Sequence, residues 1–168
     1  MTLWRRYLLV QALMVWQGGF VFYSAFVVPL GTEVLGSSAV QGAVTARVVE
    51  ILHLLGFISL GACLWDMLVA VEPERRSRHI RWVCWIIAAC AHGLLLYFYL
   101  LLVSFMDPGR RYVVIHPPFY PVHRLYLWTC TGQWLVLAVW LLLTLRAWQN
   151  IDRQSDHEIS KKGIGNGD

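Results

Sequence analysis

Charge is scarce in this chain of 168 residues. Only 14% of it is Asp, Glu, Lys or Arg, against about 25% in an ordinary soluble domain. Cysteine is present but never in a useful pairing. Cys63, Cys84, Cys90 and Cys130 include no C-x-x-C spacing, and all four fall inside apolar sequence. Neither a disulfide framework nor a structural zinc site is indicated, and the four read as small buried apolar residues. Met-x-x-Met and His-rich tracts, which would mark copper handling, are missing. So is any internal repeat, the usual basis of a single-chain transporter. Ser24, Ser59 and Ser104 have no His or acid at a spacing that would activate them, so no catalytic residue is assigned. The basic residues form one short loop and no stripe, which speaks against nucleic acid as a partner.

What the chain does have is long apolar sequence. It is 58% hydrophobic, with mean hydropathy +0.54. Four runs dominate, over residues 7–30, 44–71, 80–106 and 125–148. Each is about 24–28 residues long, enough to cross a bilayer core that needs about 20. The predicted fold is all-α: an antiparallel four-helix transmembrane bundle with short loops, over residues 1–149. A polar tail, 150–168, has no apolar face and is expected to be disordered. Trp4, Tyr7, Trp82, Trp85, Tyr126, Trp128 and Trp148 stand near the ends of the runs, where membrane interfaces collect such rings. The first run is too long for a cleaved signal peptide. Ten of the fourteen Lys and Arg residues fall on the side of the two termini and the second loop. The positive-inside rule therefore predicts a multi-pass protein with both termini cytoplasmic. Its partners are the lipid bilayer and, by extension, other membrane proteins or further copies of itself.

Prolines mark the expected ends. The first span should stop at Pro29 before a Gly/Ser-containing loop over 31–42, and the second at Glu72-Pro73. The longest loop, 107–122, includes Pro117, Pro118 and Pro121, read as a rigid extended segment.

Polar side chains at membrane depth are costly and usually face the bundle interior, so they supply the candidate site. Gln17 in the first run shares a predicted helix face with Ser24, and Gly18-Gly19 beside it would allow a neighbouring helix to come close. Arg47, Glu50 and His53 follow at three-residue spacing in the second run, close enough for successive pairing along one helix. They fit either a helix-starting ion pair with a hydrogen-bonding histidine, or a proton or metal site. His92 lies near the middle of the third run, in a seven-spaced stripe with Trp85 and Tyr99. His123 and Arg124 enter the fourth span from the outer side and are expected to close the group with Arg47, Glu50 and His53. The ligand-binding candidates are thus Gln17, Arg47, Glu50, His53, His92, His123 and Arg124. A metal would use His53 and His123. Counted along the apolar runs, His53 and His92 lie about 14 Å and about 21 Å below the outer surface, an awkward offset for two axial ligands of one haem.

Trp16-Gln17-Gly18-Gly19, followed by Phe20, Phe22 and Phe26-Val27-Val28-Pro29, resembles the first-helix pattern of CopD-like membrane proteins. The pattern looks closer to that of their uncharacterised four-helix bacterial relatives, which are similar to transmembrane protein 205. His123-Arg124 at the entry to the last helix agrees with that pattern. The resemblance implies a bacterial inner-membrane location and copper handling. A branch of haem-binding protoporphyrinogen oxidases extends the implication to haem. That branch carries histidines in an early helix, where this chain has Gln11 and Gln17. The functional expectation is an accessory or small-ligand- and metal-handling membrane protein with a polar site in the outer half of the bundle. A haem- or quinone-binding redox protein is the alternative.

Overall fold

Four spans follow one another as the apolar runs predict, at Leu3–Leu35, Ser38–Val69, Arg75–Val103 and Phe119–Gln154. The structure is a computed structural model that describes residues 2–70, 74–107, 109, 111–114 and 118–164. Their helices are α1 (Thr2–Phe22), a π-helical turn (Tyr23–Val27), α2 (Val28–Leu35), α3 (Ser38–Val69), α4 (Arg75–Val103) and α5 (Phe119–Ile164). The chain is an all-α four-helix bundle and an integral, multi-pass membrane protein. Large apolar side chains such as Ile51, Leu54, Ile58 and Leu68 stand outward on α3. In a bilayer that surface meets lipid, which has no hydrogen bonds to offer, so the polar backbone stays inside helices.

Helix α1 packs on α3, α3 on α4, and α4 most closely on α5. The backbones of α1 and α5 make no comparable approach, and towards the N-terminal end their seam is filled by side chains. Two apolar clusters stack along the bundle. One lies towards the N-terminal end, around Leu9, Leu13, Leu60, Met67, Leu137 and Trp140. The other lies towards the opposite end, around Val49, Leu95, Tyr99, Tyr126 and Cys130. Of the cysteines, Cys63 and Cys130 are buried as expected, whereas Cys90 is exposed on the outer surface of α4.

Pro29 does not end the first span. The Val28 N–H reaches back to the Tyr23 carbonyl, five residues away, and the extra residue in this π turn lets the helix resume with proline in the first turn of α2. Proline has no N–H to donate, and its place where the helix register changes from the π turn to α2 accommodates that loss. The expected 31–42 loop shrinks to Gly36 and Ser37. Gly36 takes a left-handed φ of 63° to close α2, and the Ser37 side chain accepts from the Val40 N–H to open α3. Tolerance of proline in a first helical turn moves Phe119, Tyr120 and Pro121 out of the expected extended segment and into the first turn of α5. Pro117 lies outside the described residues.

Between α4 and α5 a short hairpin is folded over the start of α3. Met106 and Val113 pair across it, and the Val113 N–H donates to the Ala39 carbonyl at 3.1 Å. Asp107 closes the turn by accepting from the backbone N–H groups of Tyr112 and Gly109, each at 2.9 Å. Those donors, Tyr112 foremost, hold the Asp107 carboxyl below its ordinary range.

The helix also continues beyond residue 149, through α5 to Ile164. At 46 residues, α5 is about 69 Å long, roughly twice the hydrocarbon thickness. Its early extramembrane part is tied to α1: both terminal nitrogens of Arg6 donate to Asp152, at 2.7 and 2.9 Å. The Arg6 guanidinium also lies 5.2 Å from the centre of the Trp148 ring. The beginning of α1 and this part of α5 therefore sit at the same end of the bundle.

The strongest polar feature at that end is Asp66, which has no exposed surface. Arg81 of α4 donates to one carboxylate oxygen at 2.8 Å. Arg5 of α1 lies 3.0 Å from the other in an ion pair that is not aligned as a hydrogen bond. Arg81 is itself only 2% exposed and packs its guanidinium on Trp140 of α5. One carboxylate thus gathers α1, α3 and α4, with α5 drawn in through the arginine. Breaking a buried ion pair from one side costs about 3–5 kcal/mol, while an exposed pair contributes about 0–1 kcal/mol. Asp66→Asn is therefore expected to lower thermal stability in detergent far more than Glu50→Gln, which removes a pair whose side chains are 40% and 62% exposed. Equal losses in the two melting curves would refute this ranking.

Candidate functional site

The predicted site residues divide into two groups at different depths. Nearer the surface, Arg47 and Glu50 pair at 3.6 Å on α3, and the Tyr99 hydroxyl of α4 donates to Glu50 at 2.8 Å. The pair lies well inside α3, which begins at Ser38, so it links α3 to α4 through Tyr99 rather than starting the helix. His53 turns away from the pair into the bundle, where its ring meets Tyr99, Tyr126 and, at 5.1 Å between centres, His92. His123 stacks on Phe119, at 5.7 Å with planes 14° apart, and Arg124 is exposed. The imidazole that comes to His53 is thus His92, from the middle of the bundle.

That meeting also revises the depth estimate. Helix α3 begins at Ser38, earlier than its apolar run, and α4 ends at Val103, earlier than its own. His53 is therefore deeper and His92 shallower than the runs imply, and the two rings touch. The stripe Trp85–His92–Tyr99 faces α3 throughout: Trp85 donates to the Leu60 carbonyl at 3.0 Å, and Tyr99 and His92 meet Glu50 and His53.

Around the two histidines is a half-open cavity of about 40 Å³, room for about two or three water molecules. Helix α1 contributes Trp16, Gln17 and Phe20, α3 Leu52 and His53, and α4 His92 and Leu95. The α5 wall includes Tyr126, Cys130, Gln133 and Trp134. His53 and His92 are 7% and 2% exposed. Among the described residues, Nε2 of His53 and Nε2 of Gln17 have no hydrogen-bond partner, and the ring nitrogens of His92 have no well-aligned one, with the His53 backbone and the Gln133 side chain close by. Gln133, in contrast, donates to the Ala88 carbonyl at 2.9 Å. A neutral imidazole offers one donor and one acceptor, and a polar group left unmatched away from water is costly. The lining is therefore prepared to hydrogen-bond a guest from several directions.

Local geometry explains how the rings reach one another. Gly56, one turn along α3 from His53, is buried under His92 and Trp16. A Cβ at this position would lie 2.8 Å from Trp16 Cζ2 and would also strike the His92 ring. Here the small residue supplies the notch that Gly18 and Gly19 were expected to provide. Gly18 has open space around it, and Gly19 makes only an ordinary contact with Leu52. The π turn likewise breaks the expected Gln17–Ser24 face: Gln17 lines the cavity, while Ser24 is exposed and donates to the Val21 carbonyl.

Haem and copper fit this cavity poorly. Space for a few waters does not admit a macrocycle. Among the described residues, no three His, Cys, Asp or Glu side chains are grouped to hold a metal ion. Two imidazoles beside Gln17 and Gln133 suit a small hydrogen-bonding guest better.

Gly56→Ala is expected to destabilise the bundle by about 1–3 kcal/mol, the usual cost of overpacking a close contact, and to displace the His92 ring. Gly61→Ala, where nothing lies within 4 Å, should be nearly neutral. Thermal unfolding of the two variants in detergent checks the contrast, and an equally mild effect at both positions would contradict the notch. Compared with known protein families, curated proteins and solved structures, the chain matches none.

Proposed function

We propose that this protein binds a small ligand in the middle of its bundle and serves as an accessory component of the membrane, with no covalent chemistry of its own. The observation that carries this reading is the set of buried nitrogens on His53, His92 and Gln17 that face one cavity without a well-aligned partner. Such groups normally find a partner, and keeping several of them together at membrane depth is explicable if a guest supplies it. The site is deeper than the Arg47–Glu50 pair, and neither His123 nor Arg124 lines it. Metal handling has weaker support, since it would rest on two imidazoles alone.

The proposal includes the cellular setting. The excess of Lys and Arg at the end holding Arg5, Arg81 and Asp152 favours a cytoplasmic location for that end. The Trp16–Pro29 stretch supports kinship with CopD-like four-helix proteins and, with it, a bacterial inner membrane. Association with other membrane proteins or with further copies would give an accessory role its partner. For topology, a membrane-impermeant thiol reagent applied from outside should label a Gly109→Cys variant and spare a Ser77→Cys variant. The opposite pattern would invert the orientation.

Native mass spectrometry of the purified protein tests the ligand reading. The expected result is a small organic adduct that is present in the natural chain and reduced in His53→Asn and His92→Asn. An adduct indifferent to both substitutions would overturn it, as would a Soret band showing haem.

A further inference from the structure

We infer that the cavity is entered sideways from the lipid, between α1 and α5, and that its guest is an uncharged, lipid-soluble ring compound carrying a carbonyl or hydroxyl oxygen, of the quinone or phenol class. This rests on the ligand-binding reading above and adds the route and the chemistry. Three observations carry it.

The first is the seam. Helices α1 and α5 are the pair of neighbours whose backbones do not pack closely, and both supply cavity walls. Gln17 and Phe20 on α1 are half-buried, and Trp134 on α5 is exposed. The seam is fastened towards one end by Arg6 to Asp152 and Trp148. At the depth of Gln17, the outside of the bundle is hydrocarbon. A hydrated ion does not arrive by that route, whereas a lipophile does.

The second is charge. Among the described residues, no Asp, Glu, Lys or Arg lines the cavity. A charged guest would give up its hydration without gaining a counter-charge, so the natural occupant is neutral. The neutral imidazoles and the Gln17 amide can instead exchange hydrogen bonds with a carbonyl or hydroxyl oxygen.

The third is shape. A cavity of about 40 Å³ takes the oxygen-bearing edge of a molecule, not its whole body. The remainder must lie in the seam, where Phe20 and Trp134 offer aromatic surfaces. Flat rings pack against such surfaces with favourable offset or edge-on geometry. The π turn begins three residues beyond Phe20, at Tyr23, and such turns are often met at functional positions in helices.

The test uses the full chain in phosphatidylcholine nanodiscs and two defined probes: a decyl-substituted benzoquinone, and Zn²⁺ alone. Quinone binding is read as saturable quenching of tryptophan fluorescence beyond that of bulk partitioning, and Zn²⁺ binding as a shift in thermal unfolding. The natural chain is expected to bind the quinone saturably. Gln17→Leu should weaken that binding by about tenfold, the loss expected for a buried hydrogen bond or two, and Ser24→Ala should leave it unchanged. Trp134→Leu, on the exposed side of the seam, provides the same comparison if Gln17→Leu fails to fold. Zn²⁺ binding that depends on His53 and His92, with quinone quenching no greater than partitioning, would overturn the lipid-entry inference while leaving a ligand site in place. Binding of neither probe would overturn both.

Discussion

Asp66 sits in the bundle with no exposed surface and two guanidiniums against it, from α1 and α4. Lipid provides little hydrophobic drive between helices, because hydrocarbon outside the bundle is as apolar as the leucines inside it. Specific polar contacts and close packing must therefore decide which faces meet. The carboxylate makes that decision for three helices at once, and Arg81 carries it to α5 by lying over Trp140. The position of every other layer follows. With the N-terminal end fixed, the apolar cluster of Leu9, Leu13, Leu60 and Leu137 forms above it. Gly56 then lies under Trp16 and His92, and the two histidines come together.

Polar groups are arranged in layers separated by apolar ones. The Asp66 group is sealed from the histidine cavity by the first apolar cluster. The cavity in turn lies beneath Tyr99 and Tyr126, which belong to the second. This order explains how a protein this small can carry partly unmatched nitrogens without losing its shape. The carboxylate that fixes the helices has its two ion-pair partners, and the unmatched nitrogens of His53 and Gln17 lie at a separate level, around the cavity. A guest at that level would add hydrogen bonds without having to organise the fold.

The four spans were legible because they depend on length and hydropathy alone. Their ends are less so: proline at position 29 predicts a terminator, but a π turn with an added residue carries the helix past it. The Trp85–His92–Tyr99 stripe was readable because α4 is regular over that length. The partner of His53 was not, since proximity along one helix suggested Glu50 while the relative heights of two helices decided for His92. Asp66 left a signal that could have been followed, as an acid inside the second apolar run with Arg5 and Arg81 near the ends of two others. Gly56 left a fainter one, a small residue one turn from a histidine at membrane depth. Linking either to its contacts requires knowing which helices are neighbours, and periodicity within a helix does not supply that.

The contact among Gly56, His92 and Trp16 has a consequence for how this protein can vary. Three helices meet there with no spare volume on the α3 side, so the residue at 56 sets the largest ring that α1 and α4 can present. A bulkier residue at 56 is compatible with the same backbone only where 92 or 16 becomes smaller. Homologous chains that keep the bundle should therefore change these three positions together: an alanine at 56 should accompany a lost imidazole or indole, and glycine should persist wherever both remain. A histidine at 92 without glycine at 56 would mark a bundle whose helices have drawn apart.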